Sequence, residues 1–120
     1  MIRVVFLKLG DYEYPLVNSL YVAEQIEDID DMQSVSALSR ILEAMSFAGA
    51  KYLNIVGSPN KNLKRNNEGQ ILPLTSDEIL FLIGIDESAI KEISNKISEC
   101  FAISEKKQVS ASSKKKKKRH

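Results

Sequence analysis

Tryptophan is missing from this 120-residue sequence, cysteine and histidine occur once each, and aromatic residues make up only 7%. Each shortage excludes something. With Cys100 alone, no intrachain disulfide can form, which fits a reducing compartment. His120 is the last residue, where it cannot be held against a serine or cysteine as nucleophilic catalysis requires. One cysteine and one histidine also fall short of the ligand sets that hold transition metals. No Gly-rich phosphate loop, dinucleotide fingerprint or nucleophile elbow occurs. The acids Asp28, Asp30 and Asp31 lack the glycine and distal glutamate of an EF-hand loop. No run of about 20 apolar residues is present to cross a bilayer. Met1–Leu9 is too short for a secretory core and carries Arg3 and Lys8. The expectation is a non-catalytic protein with no catalytic or metal-binding residues, no cofactor and no membrane span.

What is present is divided by charge. Residues 1–104 hold nine Lys/Arg and fifteen Asp/Glu, a balance of −6, and residues 105–120 hold eight basic residues and Glu105, a balance of +7. Attraction to nucleic acid or anionic lipid would therefore reside in the tail. A chain of this length fits one domain. Without tryptophan, its core must rest on Ile, Leu, Val and Met.

The apolar pattern predicts an α+β fold: an N-terminal antiparallel β-hairpin packed on about four α-helices, followed by a disordered basic C-terminal tail. Val4–Leu7 and Tyr12–Val17 are β-forming runs around Gly10-Asp11. Pro15 cannot donate to a ladder, so the second strand should be an edge or end near it. Asn18 or Ser19 can cap a helix over Leu20–Ile29, with Val22, Ala23, Ile26 and Ile29 on one face. Ser34 opens the longest helix, Val35–Asn54, whose stripe runs through Val35, Leu38, Ile41, Leu42, Met45, Ala48, Tyr52 and Leu53. Gly49 within it is either a tolerated glycine or the site of a close crossing with another helix. Gly57–Gln70 reads as a solvated basic loop carrying Lys61, Lys64 and Arg65. Thr75-Ser-Asp-Glu78 is a capping box that starts a helix stopped at Gly84. Asp86 caps a last helix with a stripe of Ile90, Ile93 and Ile97, completed by Cys100 or Phe101. On that stripe Cys100 is expected to be a buried structural thiol. The domain should cover residues 1–103 and the disordered tail 104–120.

Ile79, Leu80, Phe81, Leu82 and Ile83 are five consecutive apolar residues, too many for one face of a surface helix. Either this helix is buried centrally or part of the run faces a partner. With Phe47 and Tyr52 of the long helix, these residues form the candidate partner-binding set. The basic run Lys114, Lys115, Lys116, Lys117, Lys118 and Arg119 has three readings: a solubilising end, a nucleic-acid patch, or the trace of an A-rich, slippage-prone message. No aromatic residue lies among the lysines to stack on bases.

Three phrases carry a family resemblance: "LKLGDYEYPLVNSLYVAEQIED", "LSRILEAMSFAGAKYLN" and "LPLTSDEILFLIGIDESAIKEISNKISECF". The hairpin with its Tyr-Pro-Leu, the Ile26-Glu27 pair, the Ala48–Tyr52 phrase and the Leu-Thr segment resemble the tail assembly chaperones of long-tailed bacteriophages, especially those of Gram-positive hosts. The likeness spans about residues 7–101. It implies a protein of the host cytoplasm, absent from the mature virion, that binds the helical tape measure protein and keeps it soluble during tail assembly. It also implies a longer form made by frameshifting, whose extension recruits the tail tube protein; the lysine run lies where the slippery message would lie. Several copies per rod, and hence a homo-oligomer, would suit such a partner; nucleic acid is not an expected one. The rival readings are a nucleic-acid-associated protein using its Lys tail and a small structural subunit of a virion assembly.

Residues 105–120 carry no apolar periodicity and so cannot offset an ordering cost of about 1–2 kcal/mol per residue. Truncation after Ser104 is expected to leave the melting temperature, followed by circular dichroism, nearly unchanged. A large drop would mean that the basic tail docks on the acidic domain.

Overall fold

The computed structural model describes residues 3–31, 34–85 and 88–102. The chain runs β1 (Val5–Leu9), β2 (Tyr12–Leu16), α1 (Leu20–Ile26), α2 (Val35–Val56), α3 (Ser76–Ile85) and α4 (residues 88–102). This is the α+β arrangement expected from the sequence, a hairpin followed by four helices. Asp86, expected to cap α4, and the basic run Lys114–Arg119 lie outside the described residues.

The hairpin obeys period-two burial: Val5, Leu7 and Leu9 of β1 are buried, whereas Lys8 is exposed. Val5 pairs with Leu16, Leu7 with Tyr14 and Leu9 with Tyr12 around a two-residue loop. Gly10 has φ 68°, and among the described residues no non-glycine residue has positive φ, so only the first loop position is left-handed. That is the pattern of a II′ turn, which wants glycine first and explains why the order is Gly-Asp and not Asp-Gly. The amide of Glu13 donates outward to the Asn62 carbonyl (2.9 Å). By alternation the nitrogen of the buried Pro15 also points away from β1, where its missing N–H costs no hairpin bond.

Helix α2 organises the rest. Ser34 caps it, accepting from the Ala37 amide (3.0 Å). Gly57 closes it at φ 86°, donating to the Leu53 carbonyl (2.7 Å). The helix thus runs two residues beyond the expected end at Asn54. Leu38, Ile41, Leu42, Met45 and Leu53 are buried as the stripe predicted, whereas Val35 is 41% exposed and Tyr52 half-buried. Helix α1 ends at Ile26, three residues early, and Ala23 is exposed, although Ile29 still packs against the main core. Helix α3 passes through Gly84 and ends at Ile85. Glycine weakens a helix but does not by itself stop one. Ala89, Ile93, Ile97 and Cys100 of α4 join the core formed by the hairpin, α2 and α3.

Two expectations are corrected by packing. Gly49 does permit a close approach, but against the β2 backbone and not another helix. A Cβ built there would overlap the Pro15 carbonyl oxygen and come within 3.1 Å of the Leu16 amide nitrogen. One residue later, the Val17 amide donates to the carbonyl of Met45 in α2 (3.2 Å). The segment 57–70 is not simply solvated. Leu63 is buried with Ala50, Leu53 and Ile71 in a second, smaller cluster, and the segment pairs through Leu63 with Glu13 and through Arg65 with Ile71.

The Gly49 contact sets two effects against each other. An alanine would gain roughly 1 kcal/mol of helix propensity but would lose about 1–3 kcal/mol to overpacking against backbone that cannot rotate away. Gly49→Ala is therefore expected to lower stability in chemical denaturation. A gain of the propensity term alone would show that the strand does not approach this closely.

Candidate functional site

Beside its core face, α2 carries a polar line formed by Glu43, Ser46 and Asn54, whose spacing returns to one side of a 3.6-residue helix. This line holds the extended segment that leads into α3. Asn54 brackets Ile71, accepting from its amide (2.8 Å) and donating to its carbonyl (3.1 Å). The buried Ser46 hydroxyl accepts from the Leu74 amide (2.9 Å) and donates to the Glu43 carbonyl (3.1 Å). The Glu43 carboxylate takes both the amide (2.9 Å) and the hydroxyl (3.1 Å) of Ser76. These bonds satisfy polar groups that packing would otherwise strand, and they fix the segment alongside α2, running antiparallel to it, as a wall.

A groove runs along α2 beside that wall, mainly polar at its Arg40 end, where α1 stands opposite, and mainly apolar at its Ile55 end. One end, with a volume of ≈ 310 Å³, is lined by Tyr21 and Gln25 of α1, Arg40, Glu43 and Ala44 of α2, and Leu74 and Thr75. The other, ≈ 380 Å³, is lined by Ala50, Lys51, Asn54 and Ile55 of α2 and by Ile71. Phe47 and Pro73 line both ends. The Phe47 ring packs against Tyr21 at 5.0 Å between centroids, and the Lys51 ammonium lies 5.5 Å from its centre. Arg40 is engaged with the Gln25 carbonyl and the Asp28 carboxylate, both at 3.0 Å.

A second concavity, ≈ 270 Å³, lies between the hairpin turn and α3 and is lined by Asp11, Tyr12, Lys64, Glu78, Phe81 and Leu82 among others. Lys64 donates to Glu78 at 2.7 Å. That bond is the main cause holding the Glu78 carboxyl below its usual range and the Lys64 ammonium above its own. Glu78 also closes the expected capping box: it accepts from the Thr75 amide (3.0 Å), while its own amide donates to the Thr75 hydroxyl (3.2 Å).

The candidate residues separate accordingly. Ile79 and Ile83 belong to the core and are unavailable to a partner. Leu82 is half-buried against that core, while Leu80 and Phe81 are exposed. Phe47 stands in the middle of the groove, but Tyr52 points elsewhere, against the smaller cluster. Phe47 and Phe81 line different concavities and form no common site. Sequence reasoning missed Tyr21, Ile55 and Pro73. Ile55 lay beyond the expected helix end, and Tyr21 and Pro73 become groove residues only through the folding of α1 and the 71–76 wall. Of the loop cations, Lys64 is held by Glu78, and Arg65 donates to the carbonyls of Gly69, Ser58 and Asn60. Both are thereby tied up internally and poorly placed for phosphate.

Cys100 is buried, and burial pushes its thiol up to about 11, so the nucleophilic thiolate is scarce at neutral pH. Among the described residues no group of three or more His, Cys, Asp or Glu could hold a metal ion, and no helix is long and apolar enough to cross a membrane. Compared with family models, curated proteins and solved structures, the chain matches none.

Because the folded Glu78 carboxyl is depressed, its stabilising contribution is present above the ordinary carboxyl value and is lost as pH falls through the folded value. Glu78→Gln removes that dependence. Melting temperatures measured from pH 7 down to about pH 3 should fall less steeply in the variant than in the wild type. Parallel curves would show that the Lys64 bond does not persist in solution.

Proposed function

We propose that this chain is a tail assembly chaperone of the long-tailed bacteriophage type, which binds the helical tape measure protein through the groove along α2 and acts without catalysis. The observation that carries this reading is a groove running beside α2 from Arg40 to Ile55, mainly polar at the Arg40 end and apolar from Phe47 to Ile55, about 22 Å at 1.5 Å per residue. That length suits about four turns of an amphipathic helix laid in it. Tyr21 and Phe47, at 38% exposure each, and Ile55 at 77% supply apolar anchors along it. The sequence phrases that resemble that family cover the same elements, α1, α2 and the segment leading into α3.

The physical logic matches the task. A tape measure protein is a long rod with apolar stripes that would aggregate if exposed before the tube forms around it. A reversible binder needs apolar area and shape, not a charged cage. The groove's charged residues suit this role: Glu43 is committed to Ser76 and Arg40 to Asp28, which leaves its middle to Phe47 and Pro73. The acidic domain would repel nucleic acid, so any DNA affinity would come from the tail and fall with salt.

One salt titration against two ligands tests the reading: duplex DNA and a fragment of a tape measure protein. Fragment binding should persist at high salt, as hydrophobic association does, while DNA binding is lost. Phe47→Asp should weaken fragment binding on the order of tenfold or more with circular dichroism unchanged. DNA binding that survives physiological salt, together with no fragment binding, would favour the nucleic-acid class instead.

A further inference from the structure

The concavity between the hairpin turn and α3 contains a polar group that the fold leaves unused. Tyr14 of β2 lines it and is only 3% exposed, yet its hydroxyl makes no hydrogen bond among the described residues. No sealed side-chain nitrogen or oxygen among those residues lacks a partner. The Tyr14 hydroxyl is therefore not sealed, and it opens onto the concavity. Burial raises its pKa, so it keeps its proton at neutral pH. Leu9, Tyr12, Phe81 and Leu82 supply apolar walls around it. Of the charged groups there, Lys64 and Glu78 are committed to each other at 2.7 Å. Asp11 on the turn is exposed and makes no ion pair among the described residues. The site is thus left with the uncompensated negative charge of Asp11.

We propose that this concavity takes the side chain of an arginine presented by a partner polypeptide. An anionic group would meet Asp11 and Glu78, with Lys64 already held by Glu78. A wholly apolar group would cover the Tyr14 hydroxyl and leave it without a partner. A lysine ammonium is compact and strongly hydrated, and its donors radiate from a single nitrogen. A guanidinium is planar and more weakly hydrated, with donors spread along a fork. It can donate to the Tyr14 oxygen and to the Asp11 carboxylate while its face lies on the Phe81 ring, which is 67% exposed. Its aliphatic stem suits the apolar walls. The volume of ≈ 270 Å³ is less than drug-sized ligands occupy and suits one long side chain. Leu80 and Tyr12, at 45% and 43% exposure, add apolar surface beside Phe81. A free small molecule would leave that surface wet, whereas the neighbours of an arginine in a chain would cover it. The site shares no lining residue with the groove along α2 and does not rest on the helical-partner reading.

The test is an NMR titration of the full chain with four probes: the blocked tripeptide leucyl-arginyl-leucine amide, its lysyl and glutamyl counterparts, and butylguanidinium. The arginyl peptide should shift the amides of Asp11, Tyr12 and Phe81, leave those of Phe47 and Ile55 unmoved, and bind more tightly than the other three. Tyr14→Phe removes the hydroxyl and keeps the buried ring. It should weaken arginyl-peptide binding about tenfold or more, as loss of a hydrogen bond to a charged donor does. Its melting temperature should match the wild type, because the hydroxyl makes no bond within the described chain. Asp11→Asn should also weaken binding and remove most of its salt dependence. No binding, equal affinity for the arginyl and lysyl peptides, a preference for the glutamyl peptide, shifts confined to the α2 groove, or a Tyr14→Phe variant that binds like the wild type would each overturn the inference. Butylguanidinium binding as tightly as the arginyl peptide would overturn the assignment to a polypeptide.

Discussion

Backbone meets backbone where β2 crosses α2, and the architecture depends on that crossing. Gly49 has no side chain to hold the strand away, so the Pro15 carbonyl lies against the helix and the Val17 amide reaches the Met45 carbonyl. In a helix that carbonyl also serves the residue four positions on, which here is Gly49. The strand end is thus anchored on the same turn that permits its approach. Any larger residue would lift the hairpin from the helix and loosen the core shared by Leu7, Leu16, Leu42 and Met45.

From this anchor, α2 divides its circumference among separate tasks. Leu38, Ile41, Leu42 and Met45 make the core. Glu43, Ser46 and Asn54 hold the 71–76 segment by bonds that leave no buried side-chain polar atom unpaired among the described residues. Phe47 and Ile55 face outward between that segment and α1. A wall made only of loop would shift whenever a ligand pressed on it. One tied at three points to a 22-residue helix keeps its shape, and preorganisation of this kind reduces the ordering cost of binding.

A groove built this way suits a partner recognised by apolar shape. Its aromatic centre, the Tyr21–Phe47 pair, is large and rigid, and its rim carries charge of both signs. The acidic balance of residues 1–104 disfavours non-specific anion binding to this part of the chain as a whole.

Local pattern was enough to locate the hairpin, the Ser34 cap, the Thr75–Glu78 capping box and the Ile93–Ile97 stripe, because each is decided by residues within a turn or two of one another. The turn at Gly10-Asp11 was legible for the same reason, but its II′ type emerged only from the backbone angle of Gly10. The groove was not. Ile79–Ile83 looked like one apolar block until α3 docked, turning Ile79 and Ile83 inward and leaving Leu80 and Phe81 outside. Leu63 looked solvated until the Glu13 edge of β2 and Ile71 drew its segment inward. Gly49 announced a close approach without naming what approached. What the sequence by itself determined is which elements form and which faces are apolar, since period and capping are short-range. Only the tertiary structure decided which apolar residues remain outside. That choice depends on partners 28 and 33 residues apart, such as Ser46 with Leu74 and Glu43 with Ser76, and no local pattern encodes a contact at that distance.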